Sequence, residues 1–302
     1  MSTRGVEITG IGVCSAAGIG YQKLADGMEE GRPLFSELTT PLPVCLAGRV
    51  QDSVPVHPDF PDDRKAWLAF TALREALADA GGRDSLRVRP ERCGVFLGTG
   101  LSSVTPSEIE DDLYPHLGAD GVFDRESMAR DLSPDHAAPR RHLPDRVTRS
   151  IQERLGASGP AGTSFSACAA AAQAIAAGLQ GIRRGEIDVA VVGGHDSMIH
   201  PMGLLSFVVL GALAESRCRP FDRLRSGFMI GEGAAILVLE SCEFAQRRGA
   251  RSRARILGAG TSADAWNATA PHPEGHGAAL AMSRALRDAH IEPTQVDHVN
   301  AH

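Results

Sequence analysis

The chain has 302 residues, 43% of them hydrophobic and 23% charged, which is the profile of a soluble protein with core enough for one large α/β domain or two ordinary ones. A formal net charge of -6 gives no electrostatic ground for nucleic acid or an anionic membrane as partner. No apolar run approaches the roughly 18 residues of a membrane span, and the N-terminus lacks the apolar region of a secretory leader, so a cytoplasmic location is expected.

In chain order, residues 6–13 and 93–97 read as strands, each running into a glycine-rich turn. Gly10-x-Gly12 follows the first strand, but the third glycine of a dinucleotide fingerprint is Ser15 here, so dinucleotide binding is not expected. Residues 65–80 carry the helical period, with Ala66, Phe70, Leu73, Leu77 and Ala80 on or near one face. Residues 105–144 are rich in Pro, Asp, Arg and His and weakly periodic. They read as a long excursion with short helices, functional or interfacial rather than core, and the basic run at 139–142 reads as a solvated loop.

The clearest unit spans residues 163–194. A short strand at 162–166 leads into an alanine-rich helix at 169–184, stopped at Gly185. A buried parallel strand at 188–192 follows and ends at Gly193-Gly194, which together make a βαβ crossover. Residues 233–240 form another apolar strand, followed by a helix through residues 245–248. A second α/β stretch then begins, with a strand at 255–260, a helix at 275–289 and a strand at 296–301. His272 and His276 have i, i+4 spacing, yet Pro273 and Gly275 lie between them and spoil a helical ligand pair, so no metal site is expected.

The six cysteines, Cys14, Cys45, Cys93, Cys168, Cys218 and Cys242, are scattered, with no C-x-x-C pair. This argues against a zinc site or disulfide framework and for a reducing compartment where a free thiol can serve as nucleophile. Cys168 has the setting for it, in Ser166-Ala167-Cys168-Ala169-Ala170, at a strand-to-helix junction among residues with almost no side chain. The helix N-terminus favours a thiolate, a sharp turn would expose the sulfur, and backbone N–H groups there can stabilise an oxyanion. A small, buried structural cysteine fits the local pattern equally well.

Other segments separate these readings. Arg219-Pro220-Phe221-Asp222 through Gly231-Glu232-Gly233 resembles the RPFD-xxRDGF-xxGEG signature of the β-ketoacyl synthase family. Residues 261–271 (TSADAWNATAP) are similar to the family segment bordering the pantetheine entrance, and Val299-Asn300-Ala301-His302 resembles the start of its VNAHGTGT motif. With Gly193-Gly194, the matches keep family order over essentially the whole chain. The resemblance implies an α/β, thiolase-like fold in α-β-α-β-α layers, usually dimeric. Residues 1–249 would form the N-terminal half with the nucleophilic cysteine, and residues 250–302 the start of a C-terminal half.

It implies a decarboxylative Claisen condensation of an acyl thioester with malonyl-acyl carrier protein, in fatty acid or polyketide biosynthesis. Cys168 would be the acyl-accepting nucleophile and His302 one of two histidines that assist decarboxylation. Leu101 resembles a residue lining the acyl pocket, Phe207 one packed beside the cysteine, and Thr269 one that contacts pantetheine. Ordinary core packing is the alternative for Leu101 and Phe207, and a local turn cap for Thr269. No cofactor is implied, because substrates ride on the phosphopantetheine of acyl carrier protein, the expected partner alongside a homodimeric or heterodimeric mate.

Three departures stand out. Ser226 replaces the usual aspartate and Asn267 a frequent histidine, while His195 stands where a small residue is usual and reads as a hydrogen-bonded structural residue. The family's later lysine, second histidine and glycine-rich oxyanion loop lie beyond His302, so little condensing activity is expected of these 302 residues alone. A non-catalytic, chain-length-factor-like subunit is the alternative function, and it would normally lack the cysteine.

Overall fold

A computed structural model describes residues 4–32, 34–40, 42–43, 46–100, 110–111, 113–131, 143–214, 216–267 and 270–302. Its main strands are β1 (Val6–Ser15), β2 (Gly18–Ile19), β3 (Ser36–Glu37), β4 (Leu46–Ala47), β5 (Cys93–Thr99), β6 (Ala161–Ser164), β7 (Val189–Ser197), β8 (Glu232–Ser241) and β9 (Ala254–Arg255). The principal sheet has the order β2-β1-β8-β7-β5-β6, with β9 also on β1, while β3 and β4 pair separately. β5 runs parallel to both β6 and β7, whereas β8 is antiparallel to both β1 and β7.

The α/β expectation holds, and the sheet is covered on both faces. On β7, Val189 and Val191 pack into the cluster containing Ala69, Ala72 and Ala76 of the Arg64–Asp79 helix. Ala190 and Val192 point the other way, into the cluster of Leu179 and Ile182 from the Ala170–Arg183 helix. A strand buried on both sides has no polar face, which is why β7 reads as an unbroken apolar run. The crossover predicted from 162–166 to 188–192 is present, but β5 lies between its two strands.

Gly10 and Gly12 have a packing role. A Cβ on Gly12 would lie 1.9 Å from the Ala72 carbonyl oxygen, and one on Gly10 2.2 Å from that of Ala76, so glycine lets β1 touch the helix backbone. Asp63 caps this helix by accepting from the N–H groups of Lys65 and Ala66, as the sequence pattern of an acidic N-cap requires.

Two predicted strands differ from the structure. Of residues 255–260 only the start belongs to β9, and residues 296–301 form no strand. A strand exists through its ladder, and residues 296–302 are exposed with no neighbouring strand among the described residues. Within 105–144, the described part contains the Arg125–Asp131 helix. No described helix is long and apolar enough to cross a membrane.

Candidate active site

β6 delivers the chain to a tight elbow. The Ser164 and Ser166 hydroxyls both donate to Gln173 Oε1, at 2.8 and 2.7 Å, tying the end of the strand to the following helix. Ala167 then takes φ 48°, a left-handed conformation that costs a residue with a Cβ about 1–2 kcal/mol. The Ala167–Ala169 turn leads directly into the Ala170–Arg183 helix, and Cys168 emerges exposed at its N-terminal end.

Among the described cysteines, Cys168 is the exposed one. Burial pushes the Cys14 thiol up to about 12 and that of Cys93 to about 11, so both stay protonated and inert. The elbow strain has a direct test. Ala167→Gly should change stability by less than about 0.5 kcal/mol, because the lost Cβ strain offsets glycine's added backbone freedom. Ala167→Val should cost about 2 kcal/mol and slow alkylation of Cys168. Urea unfolding and iodoacetamide kinetics report both effects, and equal behaviour of the two variants would remove the strain argument.

Cys168 borders a cavity of about 400 Å³ at the carboxyl ends of β5 and β7, whose walls include Thr99, Asp196, His195 and Ala234. Thr99 and His195 are cross-strand partners. Both imidazole nitrogens and the threonine hydroxyl are buried without hydrogen-bond partners among the described residues. The expectation of a hydrogen-bonded structural His195 is therefore not met. Burial, with help from the Lys65 charge, pulls the His195 imidazole down to about 3, so it is neutral and offers one donor and one acceptor. Unpaired buried polar atoms at a cavity wall are where water or a polar substrate atom is accommodated. Lys65 and Asp196 share this region, and burial lowers the lysine and raises the carboxyl, each shift opposed by the other's charge.

Phe207 belongs to a separate apolar cluster. Its ring meets Phe228 edge-on at 5.2 Å and packs against the cluster of Ala47, Met198, Leu204 and Ile230; it is not among the cavity walls. Leu101 and Thr269 lie outside the described residues. His302 is exposed at the end of an extended segment and does not line the cavity.

The 219–233 motif is scaffolding for the site. Gly227 takes φ 143°, and a Cβ there would lie 2.5 Å from the Ala212 carbonyl oxygen. Ser226 and Asn267 are exposed; the Asn267 side-chain oxygen Oδ1 accepts the Ala270 N–H at 3.1 Å. Glu232 is the residue whose importance sequence reasoning missed. Its carboxylate accepts from Arg64 Nε at 2.7 Å and Nη2 at 2.5 Å, from Ser197 Oγ at 2.8 Å and from Val50 N at 3.0 Å. It thereby locks the ends of β7 and β8 to the 46–50 segment and to the start of the Arg64–Asp79 helix.

An exposed thiol on a strand-helix elbow, above a cavity at the strand ends of a doubly covered sheet, is an arrangement that suits covalent acyl transfer. The chain matches the family model for the beta-ketoacyl synthase N-terminal domain over residues 61–245 and that for the C-terminal domain over residues 253–302. It is 35% identical, over 311 aligned positions, to the 3-oxoacyl-[acyl-carrier-protein] synthase 2 of Staphylococcus aureus, covering 98% of this chain and 72% of that protein. Among solved structures it resembles a beta-ketoacyl synthase from Burkholderia phymatum, at TM-score 0.83 and 28% identity, covering 100% of this chain and 74% of that one. It also resembles the ishigamide ketosynthase/chain length factor, at TM-score 0.80 and 32% identity, covering 98% and 72%. The chain belongs to the β-ketoacyl synthase family, and its fold is the thiolase-like α/β fold of that family.

Proposed function

We propose that Cys168 accepts an acyl group from a carrier-protein or coenzyme A thioester, as the first half of a decarboxylative Claisen condensation. The observation that carries this reading is the exposed Cys168 on its strained elbow at the cavity mouth. The thiolate attacks the thioester carbonyl carbon, and N–H groups of the first helical turn stabilise the resulting oxyanion. Collapse of the tetrahedral intermediate forms acyl-Cys168 and expels the pantetheine thiolate, which takes up a proton.

Acyl carrier protein is the partner this chemistry calls for, and the name of the Staphylococcus aureus relative supports it. In the second half, a malonyl thioester loses carbon dioxide, and its enolate attacks the acyl-cysteine. His302 is assigned to that half through its motif, as an imidazole donor to the enolate oxygen. No resident cofactor is required, since both acyl groups arrive as phosphopantetheine thioesters. β6 ends the sheet with one edge free of strands among the described residues, which supports pairing with a second copy or a related subunit across that edge.

Incubation with octanoyl-coenzyme A or octanoyl carrier protein, followed by peptide mass mapping, tests the assignment. One octanoyl group on the Cys168 peptide is expected, and none after Cys168→Ser. Failure to acylate, together with failure of iodoacetamide to modify Cys168 in the folded protein, would favour the chain-length-factor-like partner role, to which one structural neighbour also points.

A further inference from the structure

The turn before the His276–Ala289 helix gathers three ligand-type side chains that the acyl-transfer site does not use. His272, Glu274 and His276 each offer one donor atom, and these atoms lie within 4.8 Å of one another. The two imidazoles stack at 4.1 Å between centroids and 19° between planes. His276 Nε2 stands 3.1 Å from a Glu274 carboxylate oxygen. The i, i+4 spacing fails as a helical pair, as expected, because only His276 is helical. A turn does the work instead: Gly275 at φ 69° returns its N–H to the His272 carbonyl at 2.8 Å, bringing the two rings face to face.

The turn is braced from outside. Asp264 accepts from the backbone N–H groups of His272 at 2.7 Å and Trp266 at 3.0 Å, and the Trp266 ring packs against His272 at 4.7 Å. This bracing holds the segment that presents the donors, as the groups behind metal ligands commonly do.

We propose that His272, Glu274 and His276 form a surface site for a divalent transition metal of the zinc type. Two imidazoles and one carboxylate suit zinc, nickel or copper, whereas magnesium and calcium call for oxygen donors throughout. Zinc at about 2.1 Å from each donor needs donors about 3.4 Å apart. The His276–Glu274 pair, at 3.1 Å, is already near that separation, and rotation of the exposed Glu274 and His276 side chains carries them to the half-buried His272. The weak bond from Glu274 N–H to His272 Nδ1, 3.1 Å long, is free to be exchanged for the metal bond. All three donors come from five consecutive positions, so little chain entropy is lost in closing the set, and water completes the coordination. The metal would clamp the turn to the first residue of the helix.

Isothermal titration of chelator-treated protein with zinc chloride tests this, with cobalt(II) absorption as a second readout. One equivalent is expected to bind. His272→Ala with His276→Ala should weaken binding at least tenfold while leaving the metal-free thermal melt unchanged. His298→Ala with His302→Ala, and separately Cys168→Ser, should leave the affinity as it was. Absence of zinc binding, or binding undiminished in the His272/His276 variant, would overturn the proposal.

Discussion

Gly98→Ala is expected to cost about 3 kcal/mol or more of stability and to displace Cys168. Gly98 lies on β5 directly beneath the first turn of the helix that follows Cys168. A Cβ there would stand 2.3 Å from the Ala170 carbonyl carbon and from the Ala171 nitrogen. Both are backbone atoms, so no side-chain rotation relieves the contact, and the helix must lift from the sheet. Overpacking of this kind costs 1–3 kcal/mol, and more where backbone must move. Gly194 makes the same close approach from β7, with its would-be Cβ 2.7 Å from that of Ala171, so the helix is seated on two glycines. Gly162→Ala on the neighbouring β6 is the control: its Cβ would meet only Phe96 Cδ1, at 3.6 Å, an ordinary contact. Urea unfolding should therefore separate the two variants by more than about 2 kcal/mol. Alkylation of Cys168 should change in Gly98→Ala alone. Similar midpoints for the two variants would show that the helix is not seated as described.

Glu232→Ala is expected to cost about 3 kcal/mol, by a different route. The Glu232 side chain is fully buried, and Arg64 is about a quarter exposed. Removing the carboxylate strands the guanidinium, the Ser197 hydroxyl and the Val50 N–H at once. Loss of one partner from a buried pair costs 3–5 kcal/mol, and the partial exposure of Arg64 places the effect at the lower end. Glu232→Gln keeps an acceptor and should lose about half as much. A loss under about 1 kcal/mol for the alanine variant, measured by urea unfolding, would show that solvent already satisfies these donors.

These two cases mark what the sequence could and could not disclose. The apolar run of β7, the period of residues 65–80 and the alanine-rich helix after Cys168 follow from local pattern; the two helices stand within a residue of expectation, while β7 continues through Gly193-Gly194 to Ser197. Cys168 was legible because strand, turn and small residues meet at one point. The family motifs selected it over the buried-cysteine reading. The pairing of β8 with both β1 and β7 was not legible, because it joins residues such as Cys14 and Ala234 with no local signature. Residues 296–301 have strand-like composition, yet strand formation depends on a neighbour that composition does not supply. Glu232 looked like one letter of a motif, while its partners Val50, Arg64 and Ser197 lie far away in sequence. His195 showed only as a departure from a small residue, and its want of hydrogen-bond partners among the described residues emerged only from the structure.

The position of β8 also bears on how the chain reaches this structure during synthesis. Contacts distant in sequence form late, because the intervening chain must first be ordered. β5, β6 and β7 can assemble with the Ala170–Arg183 helix once residue 197 is available. β1 can join that sheet only through β8, which ends at Ser241. Until then the first strand leaves the ribosome with only the short β2 hairpin as a main-sheet partner, and its β8-facing edge stays open while more than two hundred residues are translated. A growing chain in that condition depends on chaperones or on speed.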